Sequence, residues 1–202
     1  MLSQPLDFTP GERHAYSNYG YCLLGLVIEK LTGKSYASYV TDEILNPVKI
    51  TRMQIGLGPL EDRAEGEVRY HMRKQVLAKA CIGDRIGEQV PRQYGGFNLR
   101  NMDAHGAWIA SASDLVKFAS QLNQPKRCKW MNADSVMQLF AKPDYLGLGE
   151  RVKGKSMRYY AAGWKIVETD RGFNAYHGGS LSGTSTTPVS YTHLTLPTIC
   201  SV

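Results

Sequence analysis

Two short runs in this sequence have the residue types and spacing for proton transfer and acyl chemistry. The first is Tyr16-Ser17-Asn18. A phenol beside a primary amide, both fixed at a helix start, can relay a proton and hold a carbonyl or amide group. Tyrosine titrates near pH ~10, so work as a base near neutrality calls for positive charge close by. The second run is His177-Gly178-Gly179-Ser180-Leu181-Ser182-Gly183, at the end of a predicted strand. Paired glycines let a substrate approach the backbone, and an outward strand edge offers N–H donors to a developing oxyanion. Taken singly, each run also fits a plainer role. Asn18 can cap a helix beside a packed aromatic, and the glycines can form a turn beside a locally satisfied histidine.

The elements that must position these residues are legible in part. Phe8-Thr9-Pro10-Gly11-Glu12 reads as a turn ahead of the tyrosine, since proline presets φ and glycine accepts the next conformation. Leu23, Leu24, Val27, Ile28 and Leu31 recur at helical spacing after Asn18, and Thr32-Gly33 closes that helix. A second helix is expected from about Ser35 to Leu45, stopped by Asn46-Pro47. Residues 50 to 105 mix glycine, charge and isolated apolar residues and read as long loops with short helices. Ser113 starts a helix to about Leu122, and Asn132 or Asp134 caps another that ends by Pro143. Then the pattern changes. Tyr159 to Glu168 reads as a strand, Asp170-Arg171-Gly172 as a hairpin turn, and Phe173 to His177 as its partner.

Composition narrows the function classes. With 43% apolar and 21% charged residues the chain is of ordinary globular type. The net charge of +6 comes from scattered cations, with short clusters only at Lys126-Arg127-Cys128-Lys129 and Arg151-Val152-Lys153-Gly154-Lys155, so a nucleic-acid partner is not expected. No run approaches the ~20 apolar residues of a membrane span. Cys22, Cys81, Cys128 and Cys200 form no CxxC pair and share no ligand spacing with the five histidines, so neither a metal site nor a disulfide framework is expected.

The end of the chain has a different character. Val189-Ser190-Tyr191-Thr192-His193-Leu194-Thr195-Leu196-Pro197-Thr198 resembles one reading frame of a transposase adapter used in sequencing libraries. Pro188 and Ile199 permit the flanking adapter bases, and Val202 falls where the adapter frame stops. A Thr-rich strand is the other reading. Residues 189–202 are therefore expected to be an adapter translation, and His193 and Cys200 are given no functional weight.

In this order and on these elements, the two runs together resemble the serine β-lactamase and penicillin-binding-protein superfamily, especially its class C-like esterase and peptidase branch. The family's Tyr-x-Asn motif falls on Tyr16, Ser17 and Asn18, and its Lys-Thr-Gly or His-x-Gly motif on His177, Gly178 and Gly179. Tyr19 to Lys34 is similar to the helix after the tyrosine motif, and Ala110 to Phe118 to a later helix start; the likeness spans residues 8 to 187. It implies an α+β chain: a partial β-lactamase-like fold over residues 1–188, with a mainly helical part (1–150) and the remnant of a central antiparallel sheet (151–188). It also implies roles: Tyr16 as proton relay, Asn18 as a substrate-binding amide, His177 with Gly178 and Gly179 at the substrate, and the Ser180 N–H as half of an oxyanion hole. The expected substrate is a small-molecule ester, an amide or a peptide ending in a D-residue, with no cofactor.

The family's nucleophile is the serine of Ser-x-x-Lys. No serine here is followed three residues later by lysine. The sequence is accordingly expected to be a piece truncated at both ends and inactive alone, with a non-catalytic binding module or pseudoenzyme of the same fold as the alternative. Histidine in place of the usual lysine of the third motif favours an esterase or peptidase over a β-lactamase. The resemblance points to a periplasmic or secreted setting, while the residues themselves fix no compartment.

Overall fold

Pro10 and Gly11 form the expected turn. The Glu12 N–H donates to the Thr9 carbonyl at 3.0 Å, with Gly11 at φ 83°. The chain then enters helix α1 (Asn18–Thr32), capped by Ser17, whose hydroxyl accepts from the Gly20 N–H, and closed by Gly33 at φ 69°. This computed structural model describes residues 5–144 and 157–191. The basic run Arg151 to Lys155, His193 and Cys200 lie outside the described residues.

The apolar stripe assigned to α1 is not its packed face. Leu24, Val27 and Leu31 are exposed, and the buried position is Gly25, where a Cβ would stand 2.6 Å from that of Ala104. The helix thus lies glycine-down on the short 3₁₀ turn Asp103–His105, because a residue without a side chain permits the closest approach. The second helical stretch is α2 (Tyr36–Tyr39), which widens into a π turn over Val40–Leu45 and tightens at Asn46–Val48.

Residues 50 to 105 carry three short strands that the sequence did not announce, and a fourth follows at Trp108–Ile109. Strands β1 (Gln54–Ile55) and β4 (Trp108–Ile109) pair with each other, as do β2 (Leu77–Lys79) and β3 (Gln89–Pro91). None exceeds three residues, too short for an alternation of apolar and polar positions to be seen. Helix α3 (Ala112–Asn123) begins earlier than expected. Its cap is Ser111, which accepts from the Asp114 N–H at 3.1 Å and donates to the buried Asp114 carboxylate at 2.8 Å. Asn132 caps α4 (Ala133–Gln138), accepting from the Ser135 N–H.

The sheet follows. Tyr159 to Glu168 is two strands: β5 (Arg158–Tyr160) and β6 (Lys165–Thr169), antiparallel across a bend at Ala161–Trp164. Gly163, at φ 84°, makes the reversal that a continuous strand would lack. Strand β7 (Gly172–Tyr176) pairs with β6 as expected, and β10 (Val189–Tyr191) with β7, giving the order β10-β7-β6-β5. Within β10, Ser190 is buried and its hydroxyl donates to Asn123 Oδ1 at the end of α3. Strands β8 (Gly179–Leu181) and β9 (Thr184–Thr186) form a separate hairpin. Ile166, Ala175 and Ala161 are the buried core of the sheet, covered by Phe140, Tyr159, Trp164 and Phe173.

Candidate active site

The turn at Gly11 and the cap at Ser17 deliver Tyr16 and Asn18 to the head of α1. There the Tyr16 hydroxyl donates to Asn18 Oδ1 at 2.8 Å. Tyr16 is 62% exposed, so its ring faces outward and is not a packed core aromatic. The phenol and the amide act as one polar pair at the lip of the helix.

His177 follows β7 directly, and its N–H donates to the Pro188 carbonyl at 3.3 Å. Its Nδ1 meets the Gly163 carbonyl in the β5–β6 bend. A carbonyl only accepts, so Nδ1 carries the hydrogen in this contact. The same bend reaches α1, since a Cβ at Gly163 would lie 3.4 Å from the Tyr21 hydroxyl. Helix head, bend and strand end therefore converge.

Tyr160, the last residue of β5, stands between them. Its ring stacks on His14 with centroids 4.8 Å apart and meets His177 edge-on at 6.3 Å. The Tyr160 hydroxyl is buried without a partner in full hydrogen-bonding geometry. Burial, then the nearby phenols of Tyr21 and Tyr16, push it well above the ordinary tyrosine pKa. Tyr160 thus links His177 to His14, two residues ahead of Tyr16. The sequence reading missed Tyr160, Tyr21 and His14. The doublet Tyr159-Tyr160 was visible only as strand composition, and nothing in the spacing tied it to Tyr16.

The glycines differ. At Gly178 a Cβ would find nothing nearer than Thr187 Oγ1 at 4.0 Å, whereas at Gly179 it would press on Thr186 Oγ1 at 3.2 Å. Gly178 is open to an approaching ligand, and Gly179 is bare because β9 sits close. Ser180 lies on β8 opposite Ser185, exposed, with its hydroxyl 3.5 Å from the Thr184 carbonyl. Among the described residues no group of three or more His, Cys, Asp or Glu could hold a metal ion, and no helix is long and apolar enough to cross a membrane.

Comparison with known proteins gives this arrangement a lineage. A family model described as Beta-lactamase matches residues 1–191. An N-acetylmuramyl-L-alanine amidase of Bacillus subtilis (strain 168) is 46% identical over 118 residues, covering 55% of this chain and 26% of that protein. A protein of Escherichia coli (strain K12), named provisionally a D-alanyl-D-alanine carboxypeptidase, is 40% identical over 164 residues, covering 75% of this chain and 38% of its own. Among solved structures, SurE superposes with a TM-score of 0.66 at 25% identity, covering 99% of this chain and 43% of SurE. The chain thus spans about a quarter to two fifths of the length of these two curated relatives, and 43% of SurE.

Proposed function

The chain belongs to the β-lactamase family of penicillin-binding-protein-like hydrolases, and we propose that it is the substrate-binding and proton-relay portion of a serine acyl hydrolase acting on amide or peptide bonds. One observation carries the reading: the Gly163 bend meets both Tyr21 in the first turn of α1, beside Tyr16 and Asn18, and His177 at the end of β7, although most of the chain lies between them. Tyr16 then relays the proton from nucleophile to leaving group, with Asn18 fixing its hydroxyl and holding the substrate amide. His177 offers Nε2 on the other side. The open backbone at Gly178 admits the substrate. In a hairpin with a two-residue turn the pair beside the turn exchanges the ladder bonds, so the alternate pair Ser180–Ser185 directs its N–H groups outward. The Ser180 N–H is then free for an oxyanion.

Amide and peptide bonds are preferred over esters because the named relatives are an amidase and a carboxypeptidase. The chain holds no Ser-x-x-Lys, so on its own it forms no acyl-enzyme. Intact-mass measurement after incubation with an activated p-nitrophenyl ester tests this. No mass increase is expected, and a stoichiometric adduct on any serine overturns it. Placed within a longer polypeptide that supplies Ser-x-x-Lys, the chain should support acylation, and Tyr16→Phe should slow it by about 10²–10⁴-fold. An unchanged rate would remove Tyr16 from the mechanism and favour a binding module of the same fold.

A further inference from the structure

Away from Tyr16 and His177, a groove of about 720 Å³ opens between residues 71–76 and the far end of the β8–β9 hairpin. Gly183, at φ 80°, seats the hairpin turn on this segment. A Cβ there would meet Tyr70 Cβ at 3.0 Å and the His71 backbone at 3.2 Å, so the two walls are held at a fixed spacing. The floor is apolar, from Met72, Val76 and Leu181. Arg73 and Lys74 supply the charge, and no carboxylate lines the groove. Both cations are exposed, and among the described residues neither pairs with an acid. Two unneutralised cations above an apolar floor raise the local concentration of an anion with an apolar stem. A polyphosphate or nucleic acid would leave that floor unused.

We propose that this groove is a subsite for an anionic, partly apolar extension of the substrate, with Arg73 and Lys74 receiving its carboxylate. The inference rests on the reading of β8 as the substrate edge. Gly178 and the groove residue Leu181 are three residues apart on one extended segment. At ~3.3 Å per residue that places the Leu181 wall of the groove on the order of 10 Å from Gly178. The favoured substrate is therefore an extended peptide-like molecule with a carboxylate remote from the scissile bond, not a short neutral ester.

Hydrogen-exchange mass spectrometry on this chain at a few micromolar, with succinyl-Ala-Ala-D-Ala amide against acetyl-Ala-Ala-D-Ala amide, tests the subsite. The succinyl probe should protect segments 70–76 and 181–186 at about tenfold lower concentration than the acetyl probe, with an advantage that shrinks as salt is raised. The double variant Arg73→Gln, Lys74→Gln should abolish that advantage and leave the acetyl probe unaffected. Equal affinities, a preference that survives the double variant, or no binding of the succinyl probe overturns the proposal. Protection of residues 14–22 and 177–180 by the acetyl probe reports separately on the catalytic cleft. Its loss with groove protection intact would sink the hydrolase reading and leave the anion site standing.

Discussion

At the scale of single residues, Tyr160 packs the residue after β7 against the segment ahead of α1. Its ring fits between His14 and His177, but its hydroxyl is buried without a well-formed partner. An unpartnered buried hydroxyl costs desolvation and returns little. Tyr160→Phe should therefore leave stability at pH 7 within about 0.5 kcal/mol of the parent in urea titrations. A loss of more than about 1 kcal/mol would mean the hydroxyl is bonded in solution. The same residue sets a pH dependence. Its folded pKa is raised above the unfolded value near ~10, so the neutral form is favoured in the native state. Stability is then full below about pH 10 and falls as pH rises through the folded pKa. Tyr70, buried and donating to Glu67, acts in the same direction. Urea midpoints between pH 9 and 11 should drop in the parent and drop less in Tyr160→Phe; identical slopes would assign the effect to Tyr70 and the other raised tyrosines.

At the scale of elements, turn and cap chemistry was legible wherever it is local. The Pro10-Gly11 turn, the span of α1, the Asn132 cap and the β6–β7 hairpin rest on neighbours in sequence, and each stands where the residues put it. What could not be read were features decided by distant partners. The packed face of α1 is set by Ala104 meeting Gly25, not by the leucine stripe. Gly163 splits one apparent strand because the bend must carry its carbonyl to His177. Of the candidate site, the residue types at Tyr16, Asn18 and His177 were visible, while the aromatic packed between His14 and His177 was not. The start of α3 offers a direct measurement. Ser111 caps it and also bonds the carboxylate of Asp114, itself 3% exposed, whereas Ser113 only touches Ser111. Ser111→Ala should cost about 1–2 kcal/mol and Ser113→Ala less than about 0.5 kcal/mol in equilibrium unfolding. The reverse order would return the cap to Ser113.

At the scale of the whole molecule, large apolar side chains stand exposed together on one helix. Leu24, Leu26, Val27 and Leu31 on α1 are 57%, 59%, 50% and 81% exposed, on one helix only 15 residues long. Leu24, Val27 and Leu31 fall at i, i+3 and i+7, so they form one continuous stripe. Within the four-stranded sheet, β5 and β10 each have one side unpaired by any described strand, and an open edge is a template for another chain. A contiguous apolar stripe together with open sheet edges drives association whatever the net charge of +6 does at long range. The chain should therefore be monomeric only at low micromolar concentration, enhance the fluorescence of an apolar dye in its folded state, and sediment as larger species as concentration rises. Leu24→Glu with Leu31→Glu should shift that onset to about tenfold higher concentration, since both positions are exposed and their change leaves the Gly25 contact intact. A parent chain that stays monodisperse at 100-fold higher concentration, or a double variant that associates just as readily, would mean the stripe is not what brings copies together.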